Sequence, residues 1–448
     1  MIGGTSMDTE ITGRTASEIA ADVRRLVDSG ELTAGDSLPP VRHLAERLEV
    51  NRNTVMAAYR LLVRAGVAVT RGRAGTSIVD PEPIPEEGFS RDTTLHDLGS
   101  GNPDPARLPD PAPVLATLAN EPVLYGEPVI DPSLAEWATR WISEDRPDPF
   151  HLSVTGGAVD AVERLLAQAL TQGDAVALED PCFLTSIHTV RTAGYRTVPV
   201  PVDGEGMTVD GLRAALDAGV RAVVCTPRAH NPTGVGLGAA RAEELRAVLA
   251  DHPYVLVIED DHFSLLSRAP YRSLIGPGHA RWALVRSVSK FLGPDLRLAL
   301  VASDPEVATR LGSRLSPGTM WVSHLLQRLA GGLLTDPEAR RVITEARDHY
   351  ARRNDAFVAL SAEHGVTAHA ADGLNVWVDV RGDARRAARR LMGRGWLARP
   401  GDDFSLSGEG AAVRHLRMTV HDLTDERALA LVRDLAETIT DPDARTTP

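Results

Sequence analysis

Short apolar runs alternate with helical stretches from about residue 98 onward, and this alternation limits the fold more than any other feature. The clearest runs are AVALE (175–179), TVPVPV (197–202), AVVCT (222–226), VLVIED (255–260), WALVRS (282–287) and RLALVA (297–302). Strands that are separated by helices tend to pair in parallel. Residues 98–448 are therefore predicted to form an α/β domain with a largely parallel sheet.

The first 80 residues have a different pattern, which predicts three helices followed by a hairpin. The helices are ASEIAADVRRLVDSG, VRHLAERLEV and RNTVMAAYRLLVRAG, and the strands VAVT and TSIVD flank the turn RGRAG. Asn51 stands where it can cap the third helix. Residues 81–97 are rich in Pro, Glu and Asp, and we interpret them as a linker; an irregular packed loop is the alternative.

Charge and cysteine content predict a cytoplasmic protein with one basic segment. The 448 residues are enough for two or three domains, and their net charge is −13. Seven arginines against two glutamates give residues 42–73 a charge of +5, so the remainder carries −18. The two cysteines form no disulfide framework, and no run is long enough to span a bilayer. We expect no membrane partner and no metal site.

The basic segment follows the plan of a helix-turn-helix, whose second helix enters the major groove of DNA with its N-terminal side chains. Arginine and asparagine can bond bidentately to guanine and adenine edges, and a basic hairpin turn suits phosphates or a minor groove. The predicted DNA-binding residues are Arg42, Asn51, Arg52, Asn53, Thr54, Arg71 and Arg73. The alternative from spacing alone is a small helical domain with a solvated basic face.

The stretch GELTAGDSLPPVRHLAERLEVNRNTVMAAYRLLVRAGVAVTRGRAGTSIV resembles the winged helix of GntR-family regulators. The family run G-x-L-x-x-G-x-x-L-P-x-x-R-x-L-A-x-x-L-x-V-x-R-x-T-V matches it almost position for position. The resemblance implies that Arg42 and Arg52 contact DNA. Where the family usually has serine before the second arginine, this chain has Asn51, which caps a helix equally well.

Lys290 is the only lysine in the chain, and the other 47 of its 48 Lys and Arg residues are arginines. A guanidinium stays protonated in any protein environment, whereas a desolvated amine can lose its proton and attack a carbonyl. Schiff-base chemistry therefore requires lysine and excludes arginine. The alternative is that one lysine codon survived a strong composition bias, so the neighbouring motifs decide between the two interpretations.

The motifs around Lys290 are the parts that a pyridoxal phosphate (PLP) site requires. One apolar strand ends in Asp260, a carboxylate that can pair with the pyridinium nitrogen. The stretch SVTGGAVDAVERLL predicts a strand, two glycines and a helix N-terminus whose N–H groups can bind phosphate. Arg297, seven residues after Lys290, can clamp that phosphate. Each part is weak alone, but the ordered set is a strong indication of the site.

The set resembles fold-type I aminotransferases over residues 98–440. The resemblance implies that Lys290 forms the Schiff base, that Asp260 holds the ring nitrogen and that Asn231 of HNPTG holds the ring oxygen. Phe183 matches the aromatic residue that stacks on the ring, although a core aromatic explains it nearly as well. In place of a tyrosine that bonds the ring oxygen, this chain has His262.

The same resemblance implies a phosphate site and a carboxylate site. The phosphate ligands would be Gly157, Ala158, Ser287, Arg297 and, reaching into the neighbouring subunit, Tyr125. Tyr125 is a loose match, because a turn tyrosine explains it too. Arg417 of LRMTV matches the arginine that holds a substrate carboxylate. Val159 and Asp160 stand where glutamines are common, and together with His262 they argue against efficient transamination.

A GntR-like head (residues 1–80), a linker (81–97) and an aminotransferase-like body (98–448) form the layout of MocR-type regulators. The expected fold is multidomain: an N-terminal winged helix-turn-helix joined to an α/β PLP-dependent transferase fold (fold type I) with large and small subdomains. The resemblance implies a homodimer that reads two DNA half-sites and senses a small amino compound, or PLP itself. The alternatives are an active aminotransferase with an accessory head and a cofactor-free interaction module.

Overall fold

The chain divides into two compact units, Met1–Ile84 and Pro85–Pro448. The computed structural model describes residues 11–65, 67–70, 75–78, 94–118, 121–408 and 410–440. The boundary between the units falls within the predicted linker 81–97. Most of that linker, together with the predicted wing residues Arg71 and Arg73, lies outside the described residues.

The head has the predicted order of three helices and a hairpin. Its elements are α1 (Ala16–Asp28), α2 (Val41–Arg47), α3 (Arg52–Arg64), β1 (Ala68–Thr70) and β2 (Thr76–Ile78). The two strands pair antiparallel, and the helices enclose an apolar core that includes Ile19, Leu44 and Leu62. The buried hydroxyl of Tyr59 donates a 2.7 Å hydrogen bond to the carbonyl of Pro39, which ties α3 to the start of α2.

The large subdomain of the body is built on an eight-stranded sheet in the order β4-β11-β10-β9-β8-β5-β6-β7. The first strands of the body are β3 (His96–Asp97), β4 (His151–Thr155), β5 (Ala175–Asp180), β6 (Arg196–Asp203), β7 (Gly206–Met207), β8 (Ala222–Cys225), β9 (Leu256–Asp260), β10 (Trp282–Ser287) and β11 (Ala299–Ser303). The central pairs are parallel, whereas β11 is antiparallel to both β10 and β4.

All six predicted strands exist, but the last begins two residues later than the sequence indicates. Arg297 has a left-handed backbone conformation, with φ 45° and ψ 52°, so the strand cannot include it and starts at Ala299. The central strands β5, β8, β9 and β10 consist almost entirely of buried residues. They appear in the sequence as unbroken apolar runs because both of their faces are covered.

Helices cover both faces of this sheet. They are α4 (Ala112–Leu115), α5 (Pro132–Asp145), α6 (Ala158–Ala169), α7 (Leu184–Thr192), α8 (Val209–Asp217), α9 (Ala239–Ala250), α10 (Ser289–Leu292), α11 (Pro305–Leu315), α12 (His324–Thr335) and α13 (Pro337–Glu363). Successive strand residues point to opposite faces, so Leu284 belongs to one apolar core and Val285 to the other.

A smaller subdomain completes the body with a four-stranded antiparallel sheet in the order β12-β13-β16-β15. Its elements are β12 (Thr367–His369), β13 (Asn375–Asp379), α14 (Ala384–Met392), β14 (Trp396–Leu397), β15 (Arg399–Pro400), β16 (His415–Thr419) and α15 (Asp425–Thr440). The strand β14 pairs with β3, so the first described part of the body is held by the small subdomain. Across the described residues, every helix is too short or too polar to cross a membrane.

Candidate functional site

Strand pairing brings the predicted phosphate-binding segments together. Ser287 of β10 is paired with Ala299 of β11, and Ala299 is paired with Thr155 of β4. The end of β10, the residues just before β11 and the glycine loop after β4 therefore lie side by side. On the other side of β10, Val285 is paired with Asp260, so the predicted ring-nitrogen partner lies at the same end of the sheet.

The glycine loop forms a cradle at the N-terminus of α6. Gly157 precedes the helix with φ 110°, a conformation that residues with a side chain rarely adopt. A Cβ atom placed on Gly157 would lie 3.5 Å from the guanidinium carbon of Arg297. The first amides of α6, beginning at Ala158, have no carbonyl partner within the helix and carry its positive dipole. This end of the helix and Arg297 together suit an anion such as a phosphate.

Asp160, one of the two departures from the expected loop sequence, orders this cradle. Its carboxylate accepts a 2.9 Å hydrogen bond from the backbone N–H of Gly156 and a 2.6 Å bond from Nε of Arg164. Arg164 also donates to the carbonyl of Arg314 at 3.3 Å. The acidic side chain is therefore neutralised by an arginine and holds the first glycine of the loop in place.

Asp260 has the properties of a carboxyl group that accepts a hydrogen bond from a ligand. Its Oδ1 atom is buried and accepts no hydrogen bond from the part of the chain that the structure describes. Burial, and to a lesser extent the charge of Asp261, raises the pKa of Asp260 to about 7. A buried polar atom without a partner costs stability, so this carboxyl fits a ligand that brings a proton donor to it.

Asp261, directly beside it, is held in a fixed ionic network. Both of its oxygens accept hydrogen bonds from Arg228, at 2.8 Å each, and Oδ2 also accepts one from Nε of Arg286 at 2.9 Å. Burial alone raises the pKa of Asp261, but the bonds and charges of the two arginines lower it below its usual value. The network fixes the backbone that carries Asp260 and His262.

Lys290 lies in a cavity with two other predicted site residues. The cavity is lined by Lys290, Asn231 and His262, together with residues 101, 229, 230, 234, 263 and 372–375. The amine of Lys290 donates a 2.7 Å hydrogen bond to the carbonyl of Gly101. The structure therefore brings together Lys290 and two residues that the sequence predicts to face the ring oxygen.

Arg417 reaches the same site from the small subdomain. Its side chain is fully buried, donates a 3.2 Å hydrogen bond to Oδ1 of Asn231 and also bonds the carbonyl of Gly99. The guanidinium carbon lies 4.9 Å from the ring centre of Phe404. The predicted carboxylate-binding arginine and the predicted ring-oxygen ligand are thus direct neighbours.

Two predicted residues lie apart from this cluster. Tyr125 is 82% exposed, and its ring packs edge-on against Trp321 at 5.6 Å, so within one chain it does not reach the site. Phe183 is half-buried at the start of α7, directly after β5. The roles predicted for Tyr125 and Phe183 in ligand binding therefore stay predictions.

Five of the seven predicted DNA-binding residues are described, and they lie at the start of α2 and α3. The side chain of Asn51 caps α3 by accepting a 2.8 Å hydrogen bond from the N–H of Asn53, as the sequence predicts. Arg42 pairs with Glu46 at 2.9 Å, and Arg52 lies 3.9 Å from the same carboxylate. Thr54, half-buried, completes the first turn. These side chains occupy one end of a helix pair, as a helix-turn-helix requires.

Two protein families match the two units. The bacterial regulatory proteins of the gntR family match residues 15–78, and aminotransferase class I and II matches residues 93–435. Among solved structures, kynurenine aminotransferase from Pyrococcus horikoshii has a TM-score of 0.71 at 21% identity and covers 80% of this chain and 93% of its own. That likeness shows the fold of the body.

The family of this chain is identified by relatives that match both its head and its body. The vitamin B6 salvage pathway transcriptional repressor PtsJ of Salmonella typhimurium is 46% identical over 430 residues, which are 96% of this chain and 99% of the repressor. The probable rhizopine catabolism regulatory protein MocR of Rhizobium meliloti is 25% identical over 76% of each chain. The chain is a MocR-type transcriptional regulator of the GntR family. Its head binds DNA and PLP is its cofactor.

The site of this MocR-type regulator fits PLP by its chemistry. The glycine cradle with Arg297 suits a phosphate dianion, and the partnerless buried oxygen of Asp260 suits a protonated pyridine nitrogen. Lys290 would supply the amine that a carbonyl group requires. When bound, PLP supplies an electrophilic carbon and an electron-withdrawing ring.

Sequence reasoning missed several residues that build the site of this MocR-type regulator. Gly101 and Gly99 contribute carbonyls to Lys290 and Arg417, and Nδ2 of Asn375 lies 3.5 Å from Oδ1 of Asn231. A backbone carbonyl leaves no trace in a sequence, so only the glycine-rich run LGSGNPDP could have drawn attention to the segment.

A buried pair behind the site was also missed. His230 lies with its Nε2 atom 3.5 Å from Oε2 of Glu179, and its Nδ1 atom is 2.8 Å from the hydroxyl of Thr233. Burial lowers the pKa of His230 to about 3 and raises that of Glu179 to about 8. At neutral pH both groups are therefore uncharged, and the contact is not an ion pair.

Proposed function

We propose that this regulator is a repressor that responds to PLP itself, and that its DNA binding changes when PLP occupies the site at Lys290. The observation that carries the proposal is 46% identity, over nearly the full length of both chains, to a transcriptional repressor of the vitamin B6 salvage pathway. A sensor of PLP needs only reversible occupancy of its site, so it does not need catalytic turnover.

Each site residue then has a role in holding the ligand. Lys290 would bond its carbonyl carbon, Asp260 would pair with the ring nitrogen, and Asn231 with His262 would face the ring oxygen. The backbone of Gly157 and Ala158, Ser287 and Arg297 would bind the phosphate, while Phe183 would stack on the ring. These assignments are supported by the shared cavity at Lys290 and by the strand register around Ser287.

A second effector class, a small amino compound with a carboxylate, is favoured by one observation. Arg417 lies 3.2 Å from Asn231, in the same site as Lys290. A guanidinium in this position could hold the carboxylate of an amine that reacts at Lys290. If such a compound turned over, the chain would be an aminotransferase with an accessory DNA-binding head.

The regulator is proposed to act as a homodimer. Six of the exposed large apolar side chains of the body fall in two segments, 115–129 and 320–325: Leu115, Leu124, Tyr125, Val129, Met320 and Leu325. The two segments form one patch, because Tyr125 packs on Trp321 and His324 bonds the carbonyl of Pro128 at 3.1 Å. A second copy covering this patch would bury Tyr125, as its predicted role requires, and would let two heads read two half-sites.

DNA affinity with and without PLP tests the proposal. The full chain is first used to enrich duplexes from a random-sequence library, and its affinity for the enriched duplex is then measured by fluorescence anisotropy. We expect PLP to change this affinity by about 5–150-fold, the usual range of coupling between two sites. Lys290→Ala should bind the same duplex but lose the response.

Lys290→Arg is the matched control, because it keeps the positive charge and cannot form the covalent bond. Borohydride treatment of wild-type protein with PLP should attach the cofactor to Lys290, and neither variant should carry it at position 290. The proposal is wrong if PLP becomes attached to Lys290 yet leaves the DNA affinity unchanged. A response to an amino acid that is absent with PLP alone would favour the second effector class.

A further inference from the structure

One face of α3 exposes apolar and basic side chains together. Asn53, Met56, Arg60 and Val63 are exposed and follow one another at spacings of three and four residues, so they share a face of the helix. The opposite face, which includes Leu62, is buried in the core of the head. The exposed face begins at the helix end where Asn51 and Arg52 lie.

Met56 and Val63 are unusual on this face. They are 38% and 40% exposed, and no other large apolar side chain in the described part of the head is exposed to this degree. Isolated exposed apolar residues are common and need no explanation. These two, however, lie on the same helix face two turns apart, with Arg60 between them, and they contribute nothing to the core.

The exposed face borders a groove between α3, the start of α2 and the hairpin. The groove has a volume of about 410 Å³, and its lining consists of Val41, Met56, Tyr59, Arg60, Val63, Thr70 and Thr76. Arg60 has no carboxylate partner among the described residues, and Arg52 lies one turn before Met56. An apolar lining bordered by arginines fits a polyanion that also presents apolar groups.

Duplex DNA is such a partner, because thymine carries a 5-methyl group in the major groove and is recognised there by apolar contact. We propose that Met56 is a base-reading residue that packs against the methyl group of a thymine. Arg60 would bind the DNA next to that thymine. The proposal rests on DNA binding by the head. An apolar peptide would leave the arginines of this +5 segment without counter-charges, whereas the phosphates of DNA supply them.

Removal of single thymine methyl groups tests the proposal. Duplexes enriched from a random library by the full chain are resynthesised with each thymine replaced in turn by deoxyuridine, which lacks only the methyl. At one position in each half-site, wild-type protein should bind about fourfold more weakly, the factor that corresponds to about 0.8 kcal/mol for one buried methylene-sized group. Met56→Ala should bind both duplexes equally, and Met56→Leu should restore the difference.

Met392→Ala is the matched control, since Met392 is a 47% exposed methionine of the body and should leave the effect intact. Circular dichroism melting of each variant separates loss of contact from loss of fold. The proposal is overturned if no deoxyuridine weakens wild-type binding, or if Met56→Ala keeps the wild-type sensitivity. If the full chain enriches no duplex at all, DNA binding itself fails, and that outcome is distinguishable from a duplex that binds without a thymine effect.

Discussion

The amine of Lys290 lies 2.7 Å from the carbonyl oxygen of Gly101, and Arg417 bonds the carbonyl of Gly99 two residues earlier. The two side chains with the most distinctive predicted roles therefore hold the same short stretch of backbone. A carbonyl ligand bonded to Lys290 would compete with the hydrogen bond to Gly101, because an imine nitrogen keeps at most one N–H. The cost is modest, because exchange of one hydrogen bond for another changes the free energy by about 1 kcal/mol.

The raised pKa of Asp260 predicts a pH-dependent stability of the ligand-free protein. A carboxyl whose pKa is raised from 3.8 to about 7 on folding destabilises the folded state increasingly as the pH rises from about 4 to about 7, with no further loss above that. Asp260→Asn removes this contribution. Between pH 5 and pH 8 the free energy of unfolding of wild type should fall by about 3 kcal/mol more than that of the variant, at about 1.4 kcal/mol per pKa unit.

Urea unfolding at both pH values, without PLP, measures this difference. Addition of PLP should reduce it, because a protonated ring nitrogen compensates the buried carboxylate. Parallel pH profiles for wild type and Asp260→Asn would show that Asp260 ionises at an ordinary pKa.

Arg297 is expected to contribute to the binding of the PLP phosphate and not to the binding of the PLP ring. Its guanidinium lies beside Gly157 at the N-terminus of α6, so Arg297→Ala should weaken PLP binding by about 1.5–3 kcal/mol, the value of a hydrogen bond to a charged group. Pyridoxal, which lacks the phosphate, should bind wild type and variant equally. Spectroscopic titration with both compounds measures the two affinities.

Arg213→Ala is the control for Arg297→Ala, since Arg213 is an exposed arginine that pairs with Asp210 at 3.3 Å. It should leave both affinities unchanged. If Arg297→Ala weakens pyridoxal binding as much as PLP binding, the residue supports the fold of the loop and not the phosphate.

Arg52 is expected to read a base. It stands at the N-terminus of α3 with a side chain 59% exposed, so Arg52→Ala should cost about 1–3 kcal/mol on the enriched duplex and relax its base preference. Arg24→Ala, an exposed arginine of α1, should have little effect. Competition assays with enriched and random duplexes provide the measurement. Equal losses on both duplexes would place Arg52 among the phosphate contacts, the class predicted for Arg71 and Arg73.

His262 is expected to suppress turnover. It stands in the cavity with Lys290 where aminotransferases carry a tyrosine, and an imidazole lacks the phenolic hydroxyl of that tyrosine. Wild-type protein saturated with an amino donor should release keto acid far more slowly than the roughly 1–10³ per second of ordinary enzymes. His262→Tyr should shift the absorbance spectrum and accelerate release. Wild-type turnover within the enzymatic range would favour the aminotransferase alternative.

The elements of the fold could be predicted from the sequence because each depends on local patterns. The apolar runs from 175 to 287 match β5, β6, β8, β9 and β10, and Asn51 caps α3 because an asparagine side chain can accept the N–H two residues on. The one strand that was misplaced begins after Arg297, whose backbone is left-handed. No apolar pattern encodes such a conformation.

The arrangement of the site depended on contacts between distant parts of the chain. The register that places Ser287 near Thr155 runs through two antiparallel pairs, and the second of them joins Ala299 to Thr155, more than a hundred residues earlier in the chain. Asp261 appears in the sequence as part of an acidic run, although it is buried between Arg228 and Arg286. Burial of such a charge depends on partners from other strands and loops, which spacing alone does not reveal.

The single lysine has a practical consequence for the study of this protein. Among 448 residues, Lys290 carries the only side-chain amine, so amine-directed reagents meet only that group and the chain's amino terminus. The amine is half-buried against Gly101, so a ligand bonded to it or bound over it would keep the reagent away. The extent of labelling at position 290, read by mass spectrometry, is therefore a direct gauge of how many molecules in a cell extract carry a ligand.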